Sequence, residues 1–164
     1  MSALIPEVID RPTSDSKAVR GKALDEMMKE VIEWFGKEWE DRNEQETREQ
    51  LDDELYSGRD GYEVAKSLDY DGWCPDSDLV EILDRFGGML HGACYKAEKE
   101  WVKETGVKPK YKLGDVIAGK WGKDVVTGPI TRINEETAYY TIRRPGDADG
   151  CGACVKYEDV KEPA

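Results

Sequence analysis

Gly128-Pro-Ile-Thr-Arg-Ile-Asn-Glu-Glu-Thr-Ala-Tyr-Tyr-Thr-Ile-Arg143 is the stretch on which the fold turns. Two short runs rich in Ile, Thr and Tyr flank Asn134-Glu-Glu136, and the hydrophobic period falls to two. Working outward, the same pattern extends from Tyr111 to Val160. It predicts strands at Val116–Ala118, Val125–Val126, Ile130–Ile133, Ala138–Arg143 and Ala153–Tyr157. Gly114-Asp115, Gly119, Gly122, Gly128-Pro129, Asn134–Glu136 and Pro145–Gly150 separate them. Short strands packed this densely suit a small closed or nearly closed barrel better than an open sheet, because closure removes vulnerable edges.

Before Pro109 the period is helical. Ser14 or Asp15 can cap a first helix, whose face carries Leu24, Met27, Met28, Val31, Phe35 and Trp39, with Gly36 as a break point. Glu38–Glu54 is polar, and only Trp39, Leu51 and Leu55 are expected to be buried in it. After the turn Ser57–Gly61 comes a short helix near Tyr62–Leu68, with Val64, Ala65 and Leu68 inward. Asp69–Pro75 reads as a turn. One long helix is predicted from Ser77 to Thr105, with Asp76, Ser77 and Asp78 as capping acceptors and Gly106 past its end. Gly87, Gly88 and Gly92 inside it point to a kink or to close packing on the first helix.

Tyr111-Lys-Leu-Gly-Asp-Val116, Gly128-Pro-Ile-Thr-Arg-Ile133, Ala138-Tyr-Tyr-Thr-Ile142 and Val155-Lys-Tyr-Glu-Asp-Val160 together resemble an SH3-like barrel of the KOW/Tudor type. In size, acidity and helical-plus-barrel build the chain also resembles the small, uncharacterised accessory proteins of tailed phages. The expected class is therefore α+β: a flexible arm over 1–13, an acidic helical bundle or hairpin over 14–106, and an SH3-like β-barrel over 107–164.

The charge is divided unevenly. The formal total is −12, with 14 Lys/Arg against 27 Asp/Glu in residues 1–106 and 10 against 9 beyond. The first region repels phosphate backbones, and the second has little excess charge for binding by counterion release. The opening Met1-Ser-Ala-Leu-Ile-Pro6 has no basic segment leading into an apolar run, and no stretch approaches a membrane span. A cytoplasmic location is expected (the host's, for a phage product), with no membrane partner.

Chemistry has few footholds. One histidine, His91, falls mid-helix, and neither a phosphate-cradling glycine loop nor a His-Glu-x-x-His motif is present. No enzyme is expected. Asp147–Glu158 nearly fits an EF-hand loop, but Cys151 stands where calcium wants oxygen and the flanks are strands, so it reads as a polar hairpin loop. Cys151-Gly-Ala-Cys154 is half a zinc site, which His91 and Cys94 would complete if the two regions meet; otherwise Cys94 is a core thiol. No cofactor is expected, zinc being the metal these residues would suit.

Two surfaces suit partners. In the barrel, Trp121 with the outward member of Tyr139 and Tyr140, and with Arg143 and Arg144, would grip a peptide or stack on a base. In the helical region Glu38–Glu63 holds 11 Asp/Glu against 3 Lys/Arg, with Glu38, Glu40, Asp41 and Glu44 at its head. Such a run imitates nucleic-acid charge and would block a basic groove, or is a solvated helix face. The function expected is non-catalytic: a protein-binding adaptor or modulator, including a phage-encoded inhibitor of host machinery. The alternative is nucleic-acid association through Lys108, Lys110, Lys112, Arg132, Arg143 and Arg144. The glycine-interrupted helix would also allow a homo-oligomer.

Overall fold

A computed structural model describes residues 9–56 and 58–161. Most of the expected arm, residues 1–8, and Ser57 of the expected turn lie outside the described residues. Helices fill the N-terminal part and a five-strand antiparallel sheet the C-terminal part, as the change of period predicts. Two compact units result: one is Pro12–Ala97, and the other joins the segment ending at Arg11 to the chain from Glu98 onward.

The helical unit opens with α1 (Lys17–Phe35), which Gly36 ends at φ 55°, where a Cβ is disfavoured. A 3-10 segment (Gly36–Asp41) leads to α2 (Glu44–Glu54), capped by the Asn43 side chain on Glu46 N–H. Next come α3 (Gly61–Tyr70) and α4 (Ser77–Asp84), capped by Asp60 and Asp76. The cap of α4 is Asp76, and Asp78 sits in its first turn.

One long helix was the expectation for Ser77–Thr105, yet the chain turns at Arg85 and resumes as α5 (Phe86–Thr105), whose residues from Glu98 belong to the second unit. Arg85 N–H bonds back to Ile82 O in a tightened last turn, and the poor helix formers Gly87 and Gly88 follow immediately. Close packing does not explain these glycines, since a Cβ at Gly87, Gly88 or Gly92 would meet no atom within 4 Å. The helix-packing glycine is Gly61. A Cβ there would strike the Val80 carbonyl, and its N–H donates to Asp84 Oδ1 at 2.5 Å, locking α3 to α4.

The helical core is built on Val19, Met27, Val31, Leu51, Val64, Leu68 and Leu79, all essentially inaccessible. Each such aliphatic side chain contributes roughly 1.5–3 kcal/mol on burial. Trp73 joins them from the turn after α3, its Nε1–H donating to Gln50 Oε1 at 2.8 Å and its ring 5.0 Å from Phe35.

In the second unit, β1 (Val116–Trp121), β2 (Asp124–Asn134), β3 (Tyr139–Ile142), β4 (Ala153–Lys156) and β5 (Val160–Lys161) form one sheet, ordered β4-β3-β2-β1-β5. Two expected strands are fused in β2, because Gly128-Pro129 lies within the ladder opposite Ile117 and Val116. The Pro129 carbonyl accepts Arg143 N–H, and the register slips between Ile130 and Arg132, so the strand bends where a break was expected. The fifth strand is instead the short β5. Ile117, Ile130, Tyr140, Ile142, Ala153 and Val155 make this core. Gly119 of β1 sits beneath the Val155 side chain of β4, although these strands are not ladder neighbours; a Cβ there would overlap Val155 Cγ1.

Candidate functional site

The acidic stretch of the helical unit separates into two populations. Several carboxylates serve the fold: Asp52 pairs with Arg20 at 2.5 Å, Glu54 pairs with Arg59, and Asp60 caps α3. Glu38, Glu40, Asp41, Glu44 and Glu46 do not. All five are exposed, and among the described residues none of their carboxylates has an ionic or hydrogen-bonding partner. They lie on the 3-10 segment and the first turn of α2, whose partial positive charge favours Glu44 and Glu46. Glu38, Asp41, Glu46 and Asp71 border a shallow depression of about 480 Å3. Arg42 lies in its wall, its guanidinium 4.1 Å from the Phe35 ring centre and donating to Gly72 O at 3.1 Å. The result is a ridge of uncommitted negative charge on a rigid aromatic base.

In the sheet unit the aromatic grip is smaller than expected. Tyr140 points inward at 1% exposure, and its hydroxyl accepts N–H from Lys110 and Tyr111. Tyr139 is its outward neighbour but is engaged, donating to Glu98 Oε1 at 2.8 Å beneath the Arg11 guanidinium. Trp121 remains available at 41% exposure, with the Arg144 guanidinium 4.5 Å over its ring. Arg144 is held by Asp147 at 2.9 Å and Arg143 by Asp149 at 2.7 Å. Hydrogen bonds from the Arg144 side chain and backbone hold the Asp147 carboxyl below the usual carboxylate range. Both guanidiniums thus carry a carboxylate already, which lowers their value as phosphate contacts. Lys108, Lys110, Lys112 and Arg132 are exposed.

Compared with models of known families, with curated proteins and with solved structures, the chain shows no match.

The metal readings find no geometry. His91 is exposed on α5 and Cys94 is half-buried against the helical core, while Cys151 and Cys154 are exposed in the sheet unit. Among the described residues no three His, Cys, Asp or Glu side chains cluster as metal ligands; His91 and Cys94 belong to the helical unit, Cys151 and Cys154 to the sheet unit. The calcium loop fails for a visible reason. Its carboxylates face three different arginines: Asp147 on Arg144, Asp149 on Arg143, and Glu158 on Arg11 at 2.6 Å. Among the described residues no helix is long and apolar enough to cross a membrane.

One site gave no sequence signal. The Arg11 side chain is only 5% exposed, and all five of its N–H groups are used. Nε donates to Glu158, Nη1 to Glu98 and Thr137 O, and Nη2 to Ala138 O and Glu158. The guanidinium also lies 4.6 Å from the Trp101 ring centre. Burial alone would lower its pKa, but the hydrogen bonds to Glu158 and Glu98 outweigh that and raise it. Ala138 is held at φ 55°, unusual for a residue with a Cβ, and its carbonyl accepts from both Arg11 and Tyr157 N–H. This cluster pins the segment ending at Arg11 to the rest of the sheet unit and leaves none of the Arg11 N–H groups for a ligand.

Proposed function

We propose that this protein works by binding another protein without catalysis, as an adaptor or modulator whose acidic ridge occupies a basic, nucleic-acid-binding groove. The observation that carries the reading is the group of uncommitted carboxylates Glu38, Glu40, Asp41, Glu44 and Glu46, beside Asp52, Glu54 and Asp60 of the same stretch, which are spent on arginines and a helix cap. Exposed, unpaired like charges destabilise a fold slightly, so their concentration fits a role toward a partner. The bent sheet, with Gly119 under Val155, supports the SH3-like barrel as the second module. A phage origin and an inhibitory action on host machinery belong to the same reading.

Affinity capture of partners from cells, with duplex DNA as competitor, tests it. Captured proteins should be basic and released by DNA, and the combined Glu38→Lys, Glu40→Lys, Asp41→Lys and Glu44→Lys reversal should abolish capture with the circular dichroism unchanged. Undiminished capture by that variant removes the ridge from the function.

A second reading, nucleic-acid association through the sheet unit, is favoured by the Trp121–Arg144 stack and, elsewhere in the same unit, by the exposed Lys112 and Arg132. Submicromolar DNA or RNA binding that falls steeply with salt would establish it over the first.

A further inference from the structure

We propose that the groove between α3 and α4 docks a basic protein segment through an apolar anchor side chain. The groove measures about 650 Å3 and lies within the helical unit. Its apolar lining comes from Ala65, Val80 and Pro75, and Tyr62 stands in its wall at 67% exposure. Among the described residues the Tyr62 hydroxyl has no partner. An exposed ring beside an apolar floor is the arrangement that anchors protein contacts, because it offers large area at low entropic cost.

The rim sets the sign of the partner. Asp69, Asp76 and Glu81 line the groove against one cation, Lys66. Asp76 is fixed by Leu79 N–H and by Trp34 Nε1–H at 2.9 Å, so its charge is held in place. A carboxylate rim repels phosphates and steers cationic side chains. It also disfavours a second copy of this chain, whose net charge is −12. The groove is open, whereas a site for a free small molecule encloses most of its ligand. Its walls are preset, because the Gly61–Asp84 hydrogen bond and the Gly61–Val80 contact hold α3 and α4 together before any partner arrives.

This inference shares with the proposed function only the expectation of a basic protein partner, and it uses a different surface. The test is fluorescence anisotropy with three labelled peptides of one length: a Lys/Leu/Trp peptide, the same peptide with Glu for Lys, and the same with Ser for Leu and Trp. The first should bind, and the other two should bind at least about tenfold more weakly. Tyr62→Ser alone, and Asp69→Lys with Glu81→Lys, should each weaken the first peptide at least about tenfold. The four-residue ridge reversal should change it less than about twofold. All these positions are exposed, so folding is expected to survive and circular dichroism checks it. Equal binding of all three peptides overturns the proposal, as does binding unchanged in both groove variants. Self-association of the free protein that Tyr62→Ser abolishes would also overturn it, by assigning the groove to a second copy. The ridge and groove substitutions share no residue, so either reading can fail without the other.

Discussion

Arg11 shows what a single side chain can hold when every donor is used. Its partners Glu98, Thr137, Ala138 and Glu158 lie between 87 and 147 residues away, so no local pattern announced it. Arg11→Met would leave Glu98 buried beside Tyr139 without its cation. Removing one partner of such a pair costs about 3–5 kcal/mol, and urea unfolding of the variant should show a loss of that size. Arg11→Lys keeps the charge but cannot fork to two carboxylates, so it should recover only part of the loss. Tyr157 offers a pH handle. Its burial, then neighbouring Tyr140 and Glu135, push its hydroxyl up to about 12, with Arg11 opposing. The folded state thus favours protonated Tyr157, and this stability is complete below about pH 10 and is lost as pH rises through 12. The stability difference between wild type and Tyr157→Phe should drift over that window and stay flat below it.

At the scale of elements, the helices were legible because their apolar residues recur at three and four and their caps are local. Asp76 and Gly106 were readable as signals, and Gly36 did end α1. What misled was punctuation. Gly128-Pro129 has the composition of a turn, but β2 carries it through, with the Pro129 carbonyl serving Arg143 N–H. Trp73 looked like turn filler and is 2% exposed. The glycines reverse roles in the same way. Gly61→Ala should destabilise by about 1–3 kcal/mol, since a methyl group there meets the Val80 carbonyl. Gly92→Ala should stabilise by about 0.5–1 kcal/mol, because its surroundings are open and its helix gains propensity. Thermal melts of the two variants should move in opposite directions. Of the candidate sites, the Glu38–Glu44 ridge was nameable from the sequence. That Tyr139 is engaged, and that Asp147 and Asp149 screen Arg144 and Arg143, depended on pairings that spacing alone does not reveal.

At the scale of the whole molecule, charge follows architecture, the helical unit being strongly acidic and the sheet unit nearly neutral. The acidic helical unit carries unpaired like charges, so raising salt from low to moderate should raise its melting temperature, with Trp34, Trp39 and Trp73 as fluorescent reporters. The same salt should move the near-neutral sheet unit, reported by Trp101 and Trp121, much less. Arg11→Met should act in the complementary way, lowering the sheet unit's transition and leaving the other in place.

The Arg11 fork also orders events during synthesis. The sheet unit is discontinuous: its first residues precede Pro12 and the remainder begins at Glu98, with the helical unit inserted between them. A nascent chain exposes the whole helical unit before Glu158 is made, so the helices can fold as an autonomous insert while the segment ending at Arg11 waits. Completion of the sheet unit is then a late, long-range closure, slow by its contact order, and a ribosome stalled near residue 130 would carry a folded helical unit with an unsatisfied Arg11.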